Sequence, residues 1–325
     1  SAFDTIYIGG GTPSVLASGQ VAALLAAVHR NFSIAADAEI TLEVNPHDGD
    51  PDWFRDLRTL GINRLHLGAQ SFAPDDLIFL GRRHRVPDIY RTVENIIKAG
   101  FTNFGLDLIY GLPGQEPAAW KKTLAAALAL LPPHLSCYQL SAETGTPLDG
   151  DLRRGLFNLP DEETSLAFFL ETSSLLTTAN YRHYEVSNFA LYPERFSQHN
   201  QKYWGHKPYL GLGPSAHSFR NGRRWWNCRS IINYLTAWQE EKLPRDGEEI
   251  LGSDELRLEA IFLGLRTAAG IDLSAFRETF HNDLMISHRR IIDALIANGF
   301  LQHADNRLFP TVRGMAVADR LALLF

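Results

Sequence analysis

The sequence predicts an α/β fold of parallel strands, followed by a small, winged-helix-like α domain. Short β-rich runs alternate with longer helical patterns up to about residue 190, which is the rhythm of strands joined by crossover helices. From Ser253 to Phe325, three amphipathic helices precede the turn-rich segment Gly299–Pro310 and a final helix, as in a winged helix. Periodicity does not separate a doubly wound sheet from a barrel, so both arrangements of the strands stay open at this point.

The parallel region contains a series of candidate strands and helices. The candidate strands are Phe3–Ile8, Glu39–Val44, Arg64–Gly68, Asn103–Tyr110, His134–Leu140 and His183–Val186. The candidate helices lie near Ser18–Asn31, Asp52–Leu60, Pro87–Lys98, Ala118–Leu130 and Asp161–Ala179. Several of these helices open with Ser, Asp or Pro, which suit the first positions of a helix. Because ligands collect at the carboxyl ends of parallel strands, functional residues are expected there.

The region after the parallel strands is irregular and aromatic. Trp225 and Trp226 are interpreted as core or domain-contact residues. Residues 243–252 carry Pro, Gly and several charges, which is typical of a linker. We therefore predict a large domain over residues 1–245 and a small helical domain over residues 246–325.

Composition and charge exclude several classes of function. The chain has 325 residues, 45% of them hydrophobic, with a formal net charge of −6 and a pI near 6.1. Nucleic-acid binding is disfavoured because the basic excess that it requires is missing. No apolar run is long enough to span a bilayer and the start does not resemble a signal peptide, so we expect a cytoplasmic protein with at most transient membrane contact. Cys137 and Cys228 are the two cysteines of the sequence, too few for a disulfide framework or a cysteine metal cluster.

A run of three glycines follows the first candidate strand, in the motif Gly9-Gly10-Gly11-Thr12-Pro13. Glycines allow a ligand to approach the bare backbone, and a following helix offers its positive N-terminus to an anion. The motif also fits a simple turn. It lacks the spacing of a dinucleotide fingerprint and the Gly-Lys-Ser/Thr of a phosphate loop.

Polar residues recur at the ends of the next strands. The motifs are Glu43-Val44-Asn45-Pro46, Gly68-Ala69-Gln70-Ser71-Phe72 and Asp107-Leu108-Ile109-Tyr110-Gly111-Leu112-Pro113-Gly114. Any one of these side chains could cap a neighbouring loop instead of binding a ligand. Because all of them end strands of one parallel sheet, we expect them to converge on a single site.

These motifs, in this order and together with Leu80-Gly81-Arg82-Arg83-His84, resemble the radical S-adenosylmethionine (SAM) family that contains oxygen-independent coproporphyrinogen oxidase and HemW-like haem chaperones. The resemblance runs from about Asp4 to the C-terminus. It implies a partial parallel (βα)6, TIM-like barrel that lacks its first, cluster-binding unit, with the winged-helix-like domain after it.

The resemblance also implies a SAM site and the residues that form it. It assigns the methionine ammonium and carboxylate to the backbone of Gly10, Gly11 and Thr12, and the ribose hydroxyls to Glu43. Arg82 would pair with the methionine carboxylate, although Arg83 could be confused with it. The remaining residues implied in this pocket are Gln70, Asp107 and Ser141.

The cluster ligands of the family are not found in this sequence. The family carries a Cys-x-x-x-Cys-x-x-Cys loop, upstream of the glycine motif, whose thiolates hold a 4Fe-4S cluster. We expect that a unit of about fifty residues is missing from the start of this chain. A relative without a cluster is the alternative. Because the sequence has no cysteine triplet, we expect that this chain does not reduce SAM.

A second motif distinguishes members within the family. His199-Asn200-Gln201-Lys202-Tyr203-Trp204 fits the His-Asn-x-x-Tyr-Trp pattern that is associated with haem binding in HemW-like members. A histidine can be an axial ligand of haem iron, and aromatic rings can stack on the macrocycle. His199 could instead be a packing residue, and His217 is the competing candidate ligand.

The resemblance therefore implies a haem chaperone that delivers haem to an acceptor haemoprotein, with SAM and a 4Fe-4S cluster in the full-length protein. Whether the protein is an enzyme stays open. The alternative is an oxygen-independent coproporphyrinogen dehydrogenase, which decarboxylates propionates by radical chemistry, and a third reading is a catalytically inactive scaffold.

Overall fold

The computed structural model describes residues 2–325, and the chain divides into two compact units. One unit ends at His199 and the other extends from Asn200 to Phe325. The predicted domain boundary at residues 245 and 246 lies within the second unit and stays a prediction. Within the described residues, no helix is long and apolar enough to cross a membrane.

The first unit alternates strands and helices, as predicted. Its strands are β1 (Phe3–Ile8), β2 (Ile34–Val44), β3 (Arg64–Gln70), β4 (Phe104–Tyr110), β5 (His134–Gln139), β6 (Arg182–Glu185) and β7 (Asn188–Ala190). Its helices are α1 (Ser18–Asn31), α2 (Pro51–Thr59), α3 (Pro74–Phe79), α4 (Val86–Lys98), α5 (Pro117–Ala129), α6 (Pro147–Arg153) and α7 (Glu162–Thr178), and α8 (Gln198–Trp204) crosses the division between the units.

The strands of the first unit form one sheet in the order β1-β2-β3-β4-β5-β7-β6. The first five are parallel neighbours in chain order. The sixth predicted strand, His183–Val186, corresponds to β6, but it does not pair with β5. Instead β7 pairs antiparallel with both β5 and β6, because the two residues between β6 and β7 allow a hairpin and not a crossover.

The apolar core of the first unit lies on one face of the parallel sheet, between the strands and the helices. Residues Arg64 to Ala69 of β3 are all buried, the pattern of a central strand with both faces covered. Leu65 and Leu67 pack in one apolar cluster with Phe54 of α2 and Trp120 of α5. Burial of the sheet leaves the carboxyl ends of the strands as the edge at which polar groups can meet a ligand.

The second unit contains two small antiparallel sheets. Its strands are β8 (His217–Arg220), β9 (Arg223–Asn227), β10 (Arg245–Ile250), β11 (Ile271–Asp272), β12 (Leu301–Ala304) and β13 (Arg307–Pro310). Its helices are α9 (Ile231–Gln239), α10 (Ser253–Gly264), α11 (Leu273–Phe280), α12 (Leu284–Ser287), α13 (Arg289–Ala297), α14 (Val312–Met315) and α15 (Ala318–Ala322).

The predicted linker at residues 243–252 is wrong, because most of it forms β10. This strand pairs antiparallel with β9, where Gly247 lies opposite Trp226. A Cβ atom on Gly247 would come within 2.4 Å of the Trp226 ring, so glycine here allows the indole to pack on the strand. Pro and Gly with several charges are therefore signs of an edge strand in this segment.

The end of the chain has the predicted winged-helix arrangement. Helices α10, α11 and α13 precede the β12–β13 hairpin, and β11 adds a third strand beside β13. Their core contains Ile261, Leu265, Ile292 and Leu308, all fully buried. The predicted final helix is present as two short pieces, α14 and α15.

Candidate functional site

A cavity of about 230 Å³ lies at the carboxyl ends of β1 to β4. Six of the eight SAM-site residues expected from the resemblance line it, namely Gly11, Thr12, Glu43, Gln70, Arg82 and Asp107. The other lining residues are Pro13, Ser14, Val44, Asn45, His66 and Gly68. The strand-end motifs therefore converge on one site, as the parallel sheet predicted.

Glu43, at the carboxyl end of β2, accepts hydrogen bonds from two donors at and after the end of β1. The hydroxyl of Tyr7 donates to Oε1 at 2.8 Å, and the backbone N–H of Gly10 donates to Oε2 at 3.0 Å. A carboxylate oxygen has two acceptor positions, so each oxygen can still receive a hydrogen bond from a ligand hydroxyl. Burial, together with the charges of Glu43 and Asp107, raises the pKa of Tyr7, so Tyr7 stays a protonated donor.

The glycine motif forms an open turn over the cavity. Gly10 and Gly11 have φ angles of 78° and 61°, in the left-handed region that favours glycine. No heavy atom lies within 4 Å of a Cβ built at either position, so bare backbone faces open space. The expected helix N-terminus is not directly behind the turn, because a three-residue 3₁₀ turn (Pro13–Val15) separates it from α1. The backbone groups of the turn, and not a helix dipole, are what the motif offers to a ligand.

Arg82 is the cationic residue of the cavity. One of its terminal nitrogens donates to Asn45 Oδ1 at 2.6 Å and lies 3.4 Å from the carbonyl oxygen of Gly68. These acceptors are neutral, so they do not compensate the positive charge of the guanidinium, which can still pair with an anionic group of a ligand. Burial lowers the pKa of Arg82, and the charge of Asp48 partly opposes this effect. Arg83, the residue with which Arg82 could be confused in the sequence, is exposed.

Asp107 of β4 meets a histidine that the sequence analysis did not select. His66 lies on β3, 96% buried, with its Nδ1 atom 3.3 Å from Asp107 Oδ1. The signal was present, because His66, Gly68 and Gln70 alternate along the strand and all line the cavity.

The two remaining candidates in this region differ in position. Gln70 lies in the cavity wall with a φ of 66°, in the left-handed region, where the pairing of β3 with β4 shifts register. Ser141 follows β5, is exposed and donates to Glu143 Oε1 at 2.8 Å. It is not among the residues that line the cavity.

The candidate haem ligand His199 lies against β1. Its ring stacks on Tyr7 with centroids 5.0 Å apart, and its Nδ1 atom is 3.0 Å from Thr5 Oγ1. Its backbone N–H donates to Glu39 Oε1 at 3.0 Å. The competing candidate, His217, is an exposed residue of β8 that stacks on Trp226.

The cysteines of the chain do not fit an iron-sulfur cluster. Cys137 is buried in β5, where burial and the charge of Asp107 raise the pKa of its thiol, although cluster ligands must be thiolates. Cys228 lies in the second unit. Among residues 2–325, no group of three or more His, Cys, Asp or Glu side chains could hold a metal ion.

Comparison with protein families gives two matches along the chain. The radical SAM superfamily matches residues 2–127, and the HemN C-terminal domain matches residues 251–317. The first match covers β1 to β4 with the cavity, and the second covers most of the winged-helix arrangement.

Curated relatives match over most of the chain. A protein named heme chaperone HemW from Lactococcus lactis is 36% identical over 317 residues, covering 98% of this chain and 83% of that protein. The HemW of Bacillus subtilis is 31% identical, with coverages of 98% and 84%. The HemW of Synechocystis is 40% identical over 270 residues, which cover 82% of this chain but 65% of that protein, slightly less than two thirds of its length.

A solved structure confirms the fold. The radical SAM enzyme coproporphyrinogen III oxidase (HemN) of Escherichia coli superposes with a TM-score of 0.83 at 24% identity, covering 99% of this chain and 77% of that one. The prediction of a partial radical SAM barrel with a C-terminal winged-helix-like domain is therefore correct. Together with the extent of the matches to HemW proteins, this shows that the chain belongs to the HemW family of radical SAM proteins.

Proposed function

We propose that this chain is the main part of a haem chaperone, which binds haem and passes it to an acceptor haemoprotein. Bacterial relatives of 31–40% identity are named heme chaperone HemW, and the sequence of this chain contains the His199 motif. The proposal includes SAM and a 4Fe-4S cluster as cofactors of the full-length protein, a cytoplasmic location, no nucleic-acid partner and at most transient contact with membranes.

The observation that carries the haem proposal is the position of His199. Histidines that ligate a metal are usually oriented by a hydrogen bond at the other ring nitrogen. The contact between Nδ1 and Thr5 provides this orientation, and stacking on Tyr7 holds the plane of the ring. His199 would thus offer Nε2 to the iron.

The residues of the cavity fit SAM, which carries a carboxylate, an ammonium, a sulfonium and ribose hydroxyls. Arg82 would pair with the carboxylate, because a guanidinium fork matches it. Glu43 would accept from the ribose, and the turn at Gly10, Gly11 and Thr12 would contact the amino-acid end through its backbone. Gln70 and Asp107 complete the wall. SAM supplies a 5′-deoxyadenosyl group in radical chemistry, and these residues bind and orient it.

Ser141 stays in the proposal as a further nucleotide contact, with less support than the residues that line the cavity. Its hydroxyl already donates to Glu143, and it lies outside the cavity lining. The cluster has no ligand set among the described residues, so no role in reduction is assigned to any residue of this chain.

A haem titration followed by absorbance tests the proposal. Under reducing conditions, the chain should give a saturable shift of the Soret band, and His199→Ala should lose it. The matched control is His217→Ala, which removes the exposed competing histidine and should bind as the unchanged chain does. Equal binding by His199→Ala and the unchanged chain would exclude His199 as the ligand.

A second candidate function is oxygen-independent coproporphyrinogen dehydrogenation. The cavity residues keep this alternative open, because an enzyme of this type also binds SAM. The test uses the full-length protein with its cluster reconstituted and measures the conversion of coproporphyrinogen. Turnover would contradict the chaperone proposal, and its absence in a protein that binds haem would support it.

A further inference from the structure

A line of three polar side chains leads from the buried sheet to the wall of the cavity. The side chain of Asp107 is 21% exposed and lines the cavity. The next side chain in the line, His66, is 4% exposed, and Arg64, which contacts His66, is fully buried. All three belong to neighbouring strands, β3 and β4, so the backbone of the sheet fixes their spacing.

Arg64 determines which nitrogen of His66 carries the proton. The Nε–H of Arg64 points at His66 Nε2, and the two nitrogen atoms are 3.1 Å apart. A guanidinium can donate hydrogen bonds but cannot accept them, so Nε2 must be the acceptor. A neutral imidazole then has its proton on Nδ1, the atom that faces Asp107 Oδ1 at 3.3 Å.

Arg64 is itself held in place and cannot easily turn away. It donates to the carbonyl oxygen of Arg195 at 2.9 Å and to Asn103 Oδ1 at 3.3 Å, and it lies 3.6 Å from Glu39 Oε2. Glu39 compensates its charge in the interior, while its Nη2 atom has no hydrogen-bond partner among the described residues. The hydrogen bond from Arg64 therefore fixes the orientation of the His66 ring.

We infer that His66 is a positioning residue of the SAM site, and that it donates from Nδ1 to Asp107 so that the second carboxylate oxygen faces the cationic part of the ligand. This inference rests on the SAM site proposed above. A carboxylate held on one oxygen presents the other in a single direction, which lowers the cost of ordering it on binding. Arg82 on the same cavity takes the anionic group of the ligand, so the site suits a zwitterion. The Nδ1 to Oδ1 distance is at the long end for a hydrogen bond, and such contacts often tighten when the ligand binds.

The alternative is that His66 only packs. Its ring meets that of His134 edge-on with centroids 5.2 Å apart, and Tyr7 lies at 6.4 Å. A packing residue has no effect on SAM binding that depends on Asp107, and this property separates the alternatives. The tautomer tests the required first step, that Nδ1 of His66 can donate to Asp107.

The first experiment determines the tautomer of His66 in the intact chain. Nitrogen NMR on histidine-labelled protein should show the proton of His66 on Nδ1, with Nε2 unprotonated, and His66→Asn assigns the signal. Histidine in water prefers the other tautomer, so the expected result is specific. A proton on Nε2 would overturn the inference, and this measurement needs no bound nucleotide.

The second experiment compares two substitutions in a calorimetric titration with SAM. His66→Asn keeps an N–H near the position of Nδ1, whereas His66→Leu removes it. Both lose the acceptor for Arg64, so their melting temperatures should fall by similar amounts. We expect His66→Leu to weaken SAM binding about tenfold and His66→Asn by no more than about twofold, which is the difference expected from losing one hydrogen bond to a charged group.

The double substitution connects the effect to Asp107. If His66 acts through Asp107, adding His66→Leu to Asp107→Asn should weaken binding no further. Additive losses, or equal losses for Asn and Leu at position 66, would show a packing role. If neither the unchanged chain nor any variant binds SAM, the proposed SAM site fails and the role of His66 in it fails too. If the unchanged chain binds SAM but Nε2 of His66 carries the proton, the inference on His66 fails alone.

Discussion

The ring of Tyr7 stacks on His199 with centroids 5.0 Å apart, while the hydroxyl of Tyr7 donates to Glu43 at 2.8 Å. One side chain of β1 thus contacts both the candidate haem ligand His199 and Glu43 in the wall of the proposed SAM cavity. The two contacts use different parts of Tyr7, the ring face and the hydroxyl, so they can be removed separately.

The substitution Tyr7→Phe removes the hydroxyl and keeps the ring. We expect SAM binding to weaken about tenfold, because a hydrogen bond to a charged group contributes about 1.5 kcal/mol and Glu43 loses a donor that orients it. Haem binding should change little, because the stack on His199 remains. Titrations with both ligands measure this, and equal losses for the two ligands would contradict the separation. Tyr90→Phe, at an exposed position on α4, is the control.

Neighbouring arginines at positions 82 and 83 give a matched pair. Arg82→Ala should weaken SAM binding by at least tenfold, because the carboxylate of the ligand loses its charge-assisted partner. Arg83→Ala should leave the affinity unchanged, because Arg83 is exposed and does not line the cavity. Calorimetry on the two variants measures the difference. A loss with Arg83→Ala and none with Arg82→Ala would reverse the assignment.

Gly68 keeps room for three cavity side chains. A Cβ atom there would lie 2.9 Å from Gln70 Nε2, 3.4 Å from Arg82 and 3.5 Å from Asn45 Oδ1. Gly68→Ala should therefore displace these flexible ends and weaken SAM binding about fivefold, equivalent to about 1 kcal/mol, with a small change in melting temperature.

The control for this substitution is Gly150→Ala in α6. No heavy atom lies within 4 Å of a Cβ at Gly150, and alanine has the higher helix propensity. Its affinity for SAM should be unchanged and its stability equal or slightly greater. If Gly68→Ala bound SAM as tightly as Gly150→Ala, the close packing at Gly68 would have no role in the site.

His183 makes stability depend on pH. Burial lowers its pKa to about 4, and the ring is held between Ser173 Oγ at 3.0 Å and the carbonyl oxygen of Val186 at 3.2 Å. In the unfolded chain a histidine binds its proton below about pH 6.5. The unfolded state therefore binds more protons between pH 6.5 and 4, and the free energy of unfolding falls as the pH is lowered through this window, by up to about 1.4 kcal/mol per pH unit.

Denaturant unfolding at pH 7, 6 and 5 measures this dependence. His183→Gln lacks the titrating group, so its stability should fall less steeply over the same range. His134 also has a lowered pKa through burial, and it is retained in the variant. The difference between the two slopes therefore isolates His183, and parallel slopes would contradict the prediction.

Local patterns predicted the individual elements well. Helix α1 has the predicted bounds, Ser18–Asn31, and β1 has the predicted bounds, Phe3–Ile8. Both are specified by residues within the element, through periodicity and end signals, so the rest of the chain is not needed to recognise them. The linker at residues 243–252 was misread because the pairing of β10 with β9 satisfies its backbone from a strand about twenty residues away.

The sequence predicted those residues of the candidate site that lie at the carboxyl ends of the parallel strands. Glu43, Gln70 and Asp107 were selected because parallel strands bring their carboxyl ends together, and all three line the cavity. His66 was missed although it shares a strand face with Gln70, because the alternation shows which side of the strand it faces and not what it contacts. Its importance comes from Arg64 on the same strand and Asp107 on the next one.

The sequence by itself determined the alternation of strands and helices, the family and the residues at the strand ends, because each depends on short-range patterns or motifs. The tertiary structure decided which of two adjacent arginines enters the cavity, that β7 separates β6 from β5, and that Tyr7 lies between Glu43 and His199. These facts depend on contacts between residues that are far apart in the chain. Such contacts are set by the packing of whole elements, which no local pattern encodes.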